Sequence, residues 1–96
     1  MTMIELDSAP VLVVGAGIMG AGIAQVAALA GHPVRLFDAR EGAAAQAKSK
    51  LAATLDTLVN KGKLEAAIAQ AALSRIEAIA GIEQAAGVAL VVEAIV

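Results

Sequence analysis

The sequence has no cysteine, tryptophan or tyrosine, and Phe37 is its one aromatic residue. Without cysteine, a disulfide scaffold and a cysteine-ligated metal site are both excluded. That fits a reducing compartment. With alanine in place of aromatics, few large side chains are left to fill a deep core, and the composition suits helices packed closely on a sheet. Charge of either sign is sparse: seven Lys and Arg against nine Asp and Glu give a net charge of −2. The basic residues form no long run, so nucleic acid is not an expected partner. Met1 to Pro10 carries Glu5 and Asp7 but no basic residue. It therefore lacks both the basic start of a signal peptide and the arginines of a transit peptide, and a cytoplasmic location is expected.

One absence is long. From Ser8 to Val34 there is no Asp, Glu, Lys or Arg, a stretch long enough to read as a membrane span by hydropathy alone. Gly15, Gly17, Gly20 and Gly22 interrupt it, and a strand, turn and helix account for each of them. No membrane partner is expected. What remains is a chain 59% hydrophobic and 17% charged, which excludes a disordered segment. Its 96 residues fit one small domain or a piece of a larger one, with marginal stability at that size.

The apolar runs set the elements. Val11 to Val14 is short, β-branched and without alternation, as in a strand buried on both faces of a parallel sheet. Ile18 to Ala30 reads as a helix stopped by Gly31, and Val34 to Phe37 as a second strand. Ala43 to Asn60 reads as a long helix with Leu51, Leu55, Leu58 and Val59 on its apolar stripe, broken at Gly62. Leu64 to Leu73 follows as a helix, Arg75 to Ile79 as a strand, Ile82 to Ala86 as a helical turn, and Ala89 to Glu93 as a fourth strand. Strands alternating with helices predict right-handed βαβ units. The expected fold is α/β, a Rossmann-type parallel sheet with helices on both faces. The sequence ends just after the fourth strand, where such a sheet is half built. This favours a piece of a longer protein, the N-terminal part of its Rossmann domain.

The chemistry concentrates after the first strand, where Gly15-Ala16-Gly17-Ile18-Met19-Gly20 is a G-x-G-x-x-G turn opening a helix. Gly15 allows the tight turn, Gly17 lets a pyrophosphate approach the backbone, and Gly20 lets helix and strand pack closely. The unpaired N–H groups and the dipole of the helix start attract phosphates. An acid closes the second strand: Asp38 lies 18 residues after Gly20, as the dinucleotide fingerprint asks. Its carboxylate can accept both ribose hydroxyls and would repel a 2′-phosphate, so NAD is favoured over NADP. Arg40, two residues on, works against that preference because an arginine can hold a phosphate. FAD sites use the same turn, and the pattern alone does not separate the two cofactors. No metal site is expected. His32 falls in the turn between the first helix and the second strand, away from the carboxyl ends of the strands, so it is read as a surface residue rather than a catalytic base. Glu93 is read as a solvated acid or an N-cap.

The run from Gly15 through Gly-Ala-Gly-Ile-Ala-Gln25 to Gly31-His32, then Val34-Arg-Leu-Phe-Asp38, with the closing Leu90-Val-Val-Glu-Ala-Ile-Val96, resembles the L-3-hydroxyacyl-CoA dehydrogenase family over residues 10 to 96. The resemblance implies a two-domain, homodimeric parent that oxidises the 3-hydroxyl of an acyl-CoA by hydride transfer to NAD. It implies pyrophosphate contacts from Gly15 to Gly20 and a ribose contact from Asp38. Thr54 and Lys61 match positions where the family contacts CoA through a hydroxyl and a lysine, Thr54 standing in for a serine. The family's catalytic histidine and its glutamate, together with a serine and an asparagine, belong to later segments that these 96 residues do not include. The chain by itself is therefore expected to have no catalytic residue and no turnover. Two other readings remain: a non-catalytic dinucleotide-binding module, and a 3-hydroxyisobutyrate-type dehydrogenase, which the alanine–glutamine helix and the Val-Val-Glu-Ala-Ile ending fit less well.

Overall fold

A computed structural model describes residues 10–85 and 90–94. Its elements run β1 (Val11–Val14), α1 (Ile18–Leu29), β2 (Val34–Phe37), α2 (Ala43–Asn60), α3 (Ala66–Ser74), β3 (Ile76–Ile79), a 3₁₀ turn (Ile82–Ala85) and β4 (Leu90–Glu93). All pairings are parallel, in the order β3-β2-β1-β4. The chain moves outward from β1 through β2 to β3, then returns to the other side of β1. That reversal is the point at which open α/β sheets bind ligands, beyond the carboxyl ends of the strands.

The core matches the composition. Val11, Val13, Val34, Leu36 and Ile76 alternate along their strands on one face. Against them α1 sets Gly20, Ala24 and Ala28, one residue every four, and α2 sets Ala44, Ala47 and Leu51. Small residues let the helix backbones approach the β-branched face closely, so this core depends on fit more than on volume. Leu58 and Val59, expected on the apolar stripe of α2, are half-buried, while Leu51 and Leu55 are buried. Helix ends follow local rules. Gly31 and His32 donate their N–H groups to Ala28 and Ala27 at 3.1 and 3.0 Å, which closes α1 in a Schellman motif. Gly62 and Lys63 close α2 in the same way.

The expected Rossmann-type parallel sheet is present; of the helices expected on both faces, the three α-helices among the described residues lie on one. They share one core there. The other face carries Leu12, Val14, Phe37 and Ile79, which cluster with one another and, among the described residues, with no helix residue. Chain handedness is the reason. Two right-handed crossovers made in the same direction, β1 to β2 and β2 to β3, put their helices on the same side. Only the step back to β4 reverses direction, and it begins with the 3₁₀ turn rather than an α-helix. The third helix begins at Ala66 rather than Leu64, because Glu65 is extended and serves as its N-cap. Ala86 and Ala89, expected in the helical turn and the last strand, lie outside the described residues. No helix among the described residues is long and apolar enough to cross a membrane.

Candidate functional site

The glycine turn leaves β1 at Gly15, whose φ of 105° lies in the left-handed region, where a side chain would be strained. Gly20 is held against that turn from the helix side: a Cβ there would collide with the Gly15 carbonyl oxygen. Gly17 is the opposite case. It is the N-cap of α1 with ordinary extended backbone and no side-chain cap, and a Cβ there would meet nothing within 4 Å. The space in front of Gly17 is therefore open to a ligand. The first N–H groups of α1 have no acceptor within the helix, and its first turn holds no acid, so an anion there meets donors and no like charge from the helix itself. Ile18 and Met19 present exposed side chains at this helix start, Ile18 almost completely so.

Asp38, just past β2, reaches the same place. Its Oδ2 accepts the N–H of Ala16 at 2.8 Å, which ties the end of β2 to the turn after β1. Arg40 supplies the other bonds: its backbone N–H and Nε donate to Oδ1 at 2.8 and 3.0 Å, and its Nη2 donates to Oδ2 at 2.9 Å. The Asp38 side chain is 9% exposed and that of Arg40 72%. The Arg40 guanidinium, then the Ala16 and Arg40 backbone N–H groups, hold the Asp38 carboxyl far below its ordinary value, outweighing the opposing effect of burial. The same contact raises Arg40 above its ordinary value. Asp38 is thus a fixed anion at neutral pH.

A cleft of about 440 Å³ joins these groups, lined by Val14, Gly15, Gly17, Phe37, Asp38 and Arg40, with Ala94 closing it from beyond β4. Ala94 donates its N–H to Val14 at 2.8 Å. It was not singled out from the sequence, although it lies in the Val-Val-Glu-Ala run. Glu93 is exposed in the register position beside Val14. A second hollow of about 420 Å³ lies between α1 and α2, where Gly17, Gln25, Arg40, Lys50 and Thr54 face one space. Thr54 donates its hydroxyl to the Lys50 carbonyl at 3.0 Å, which leaves the oxygen as an acceptor. Lys61 is the exposed C-cap of α2 and is not among the residues lining that hollow. A larger, shallow depression of about 780 Å³ runs past Pro33, Arg75 and Glu77. It contains none of the glycine-turn residues, and Pro33 and Arg75 lie at the amino ends of β2 and β3, the wrong end of a sheet for a nucleotide. His32 lies at that amino end too, half-buried in the turn after α1.

Comparison with known proteins fits this geometry. The family model described as 3-hydroxyacyl-CoA dehydrogenase, NAD binding domain, matches residues 10–96. The chain is 42% identical over 84 residues to the 3-hydroxyadipyl-CoA dehydrogenase of Escherichia coli, covering 88% of this chain and 18% of that protein. It is 38% identical to a fatty acid oxidation complex subunit alpha of Ectopseudomonas oleovorans, covering 94% and 13% respectively. Among solved structures, (S)-3-hydroxybutyryl-CoA dehydrogenase from Ralstonia eutropha superposes with a TM-score of 0.85 at 35% identity, covering 93% of this chain and 31% of that one. The chain spans less than a third of the length of each of these relatives. Matched in this way over nearly its whole length, with a glycine turn and an acid that suit a dinucleotide, the chain belongs to the 3-hydroxyacyl-CoA dehydrogenase family as its NAD-binding domain, and its cofactor is NAD.

Proposed function

We propose that this chain is the cofactor-holding part of a 3-hydroxyacyl-CoA dehydrogenase, a cytoplasmic homodimer that oxidises the 3-hydroxyl of an acyl-CoA to a ketone. NAD, when bound, accepts the hydride. The observation that carries the reading is the bond from the Ala16 N–H to Asp38. It brings the pyrophosphate turn and the ribose acid together at the carboxyl ends of adjacent strands. In this proposal the turn from Gly15 to Gly20 receives the pyrophosphate: Gly17, Ile18 and Met19 offer it backbone, while Gly15, Ala16 and Gly20 hold the shape of the turn, and Asp38 accepts hydrogen bonds from the adenosine ribose, with Arg40 beside it. Thr54 and Lys61 on α2 are assigned to CoA: one offers an acceptor oxygen in the hollow beside the helix start, the other a point charge seven residues further on. Deprotonation of the hydroxyl is assigned to a base outside this sequence, since a base must lie within hydrogen-bond reach of the proton it takes.

The test is calorimetric titration of the chain with NAD and NADP, repeated with Asp38→Ala. Saturable NAD binding, weaker for NADP and lost in the variant, is the expected result. Equal binding by the variant would remove Asp38 from the site.

A further inference from the structure

An ionised carboxylate has about four lone-pair directions to offer, and Asp38 has all four occupied. Ala16 takes one, and Arg40 takes three through its backbone N–H, Nε and Nη2. The two side-chain bonds form a planar fork, with one N–H to each carboxylate oxygen. A ribose diol presents the same pattern, two donors on neighbouring atoms, one for each oxygen. The guanidinium therefore stands where the ribose hydroxyls would donate. It is well placed to leave. Arg40 is 72% exposed, sits in the turn before α2, and borders both the cleft that contains Asp38 and the hollow between α1 and α2.

We infer that Arg40 is the specificity-determining residue of this nucleotide site: its guanidinium competes with an unphosphorylated ribose for Asp38 and is the counter-ion for a 2′-phosphorylated one. The inference rests on the reading of Asp38 as the ribose acid. NAD binding is then an exchange, in which two hydroxyl donors replace two guanidinium donors on the same oxygens. The Ala16 and Arg40 backbone bonds remain and keep the acid in place. With NADP the exchange differs. The 2′-phosphate carries no donor for Asp38, and it offers the released guanidinium two acceptor oxygens in fork geometry. An arginine two residues after the acid thus narrows the preference for NAD that the acid alone would set.

The experiment titrates the chain, Arg40→Ala and Arg40→Lys with NAD and with NADP, using Asp38→Ala as the reference. For Arg40→Ala, NAD is expected to bind about threefold tighter, the scale of an exposed ion pair, and NADP about threefold weaker. Arg40→Lys keeps the charge without the fork, so it should bind NAD more tightly than wild type while holding NADP better than the alanine variant. A merely structural role would move both nucleotides in the same direction. Unchanged or weaker NAD binding in Arg40→Ala, with the Asp38→Ala loss intact, overturns the inference and leaves the ribose reading standing. Absence of NAD binding by the wild-type chain, or equal binding by Asp38→Ala, removes both.

Discussion

Asp38 gives the domain a pH dependence of definite sign. Its carboxyl ordinarily titrates near 3.8, and in the folded chain the Arg40 side chain and the Ala16 N–H depress it far below that. A depressed acid stabilises the fold at every pH above the unfolded value. The contribution is lost as pH falls below about 4 toward the folded value. Urea unfolding between pH 6 and pH 3 should therefore show the wild type losing more stability on acidification than Asp38→Asn; equal losses would count against the bonded anion. The position of Asp38 was readable from spacing, because a fingerprint fixes where the acid must be. Its bonding was not readable, because a fingerprint describes the acid facing a ligand and does not say which neighbour occupies it otherwise. Arg40 was seen as a residue that could hold a phosphate, and only the fold shows its fork closed on Asp38. Of the two residues matched to CoA contacts, Thr54 shares a hollow with the helix start, and Lys61 lies apart from it at the helix end.

At the scale of elements, the join between β1 and α1 rests on two glycines with separable duties. A Cβ on Gly20 would collide with the Gly15 carbonyl oxygen, while one on Gly17 would meet open space. Gly20→Ala should cost about 2–3 kcal/mol of unfolding free energy, toward the upper end of overpacking, because the obstacle is backbone. Gly17→Ala should stay within about 1 kcal/mol of wild type, an N-cap change. It should nevertheless bind NAD about tenfold more weakly or worse, since its methyl occupies the approach proposed for the pyrophosphate. Denaturant titration and calorimetry on the two variants read these separately; a stable Gly20→Ala would overturn the packing argument. The bounds of β1, β2 and α2 were legible from the sequence to the residue, because each apolar segment is bracketed by residues that break it: Pro10 and Gly15 around β1, Pro33 and Asp38 around β2, Gly42 and Gly62 around α2. The start of α3 was less legible. Leu64 looked like the first apolar residue of a helix, but Glu65 is extended and the helix begins after it. The placement of all three helices on one face was not legible from the pattern of elements. It depends on the direction of each crossover, and that depends on strand order, which a list of elements does not contain.

For the molecule as a whole, the two edges of the sheet differ. β3 is an edge strand marked by charge, with Glu77 paired to Arg35 on the neighbouring β2 at 3.0 Å. β4, at the other edge, carries Leu90, Val91 and Val92 before its first acid, and Val91 is half exposed. A short apolar edge next to a lightly covered face invites pairing between copies. The exposed Ile18, Met19 and Val26 on α1 add apolar surface elsewhere. The 96-residue chain should therefore self-associate, and Val91→Lys should shift it toward monomer in sedimentation equilibrium. A monodisperse wild-type monomer would contradict this.

The strand order has a consequence in time. Both parts of the proposed nucleotide site grow from the interior strands, the glycine turn from β1 and Asp38 from β2, while β3 and β4 flank them. Fraying begins at edges, where a ladder has one neighbour, and amides open there with the least free energy. In hydrogen exchange the β3 and β4 amides should release their protons first. The Gly15 N–H, held by the Phe37 carbonyl at 2.7 Å, should wait for the sheet itself. The grip on the cofactor would then be among the last things this fold gives up.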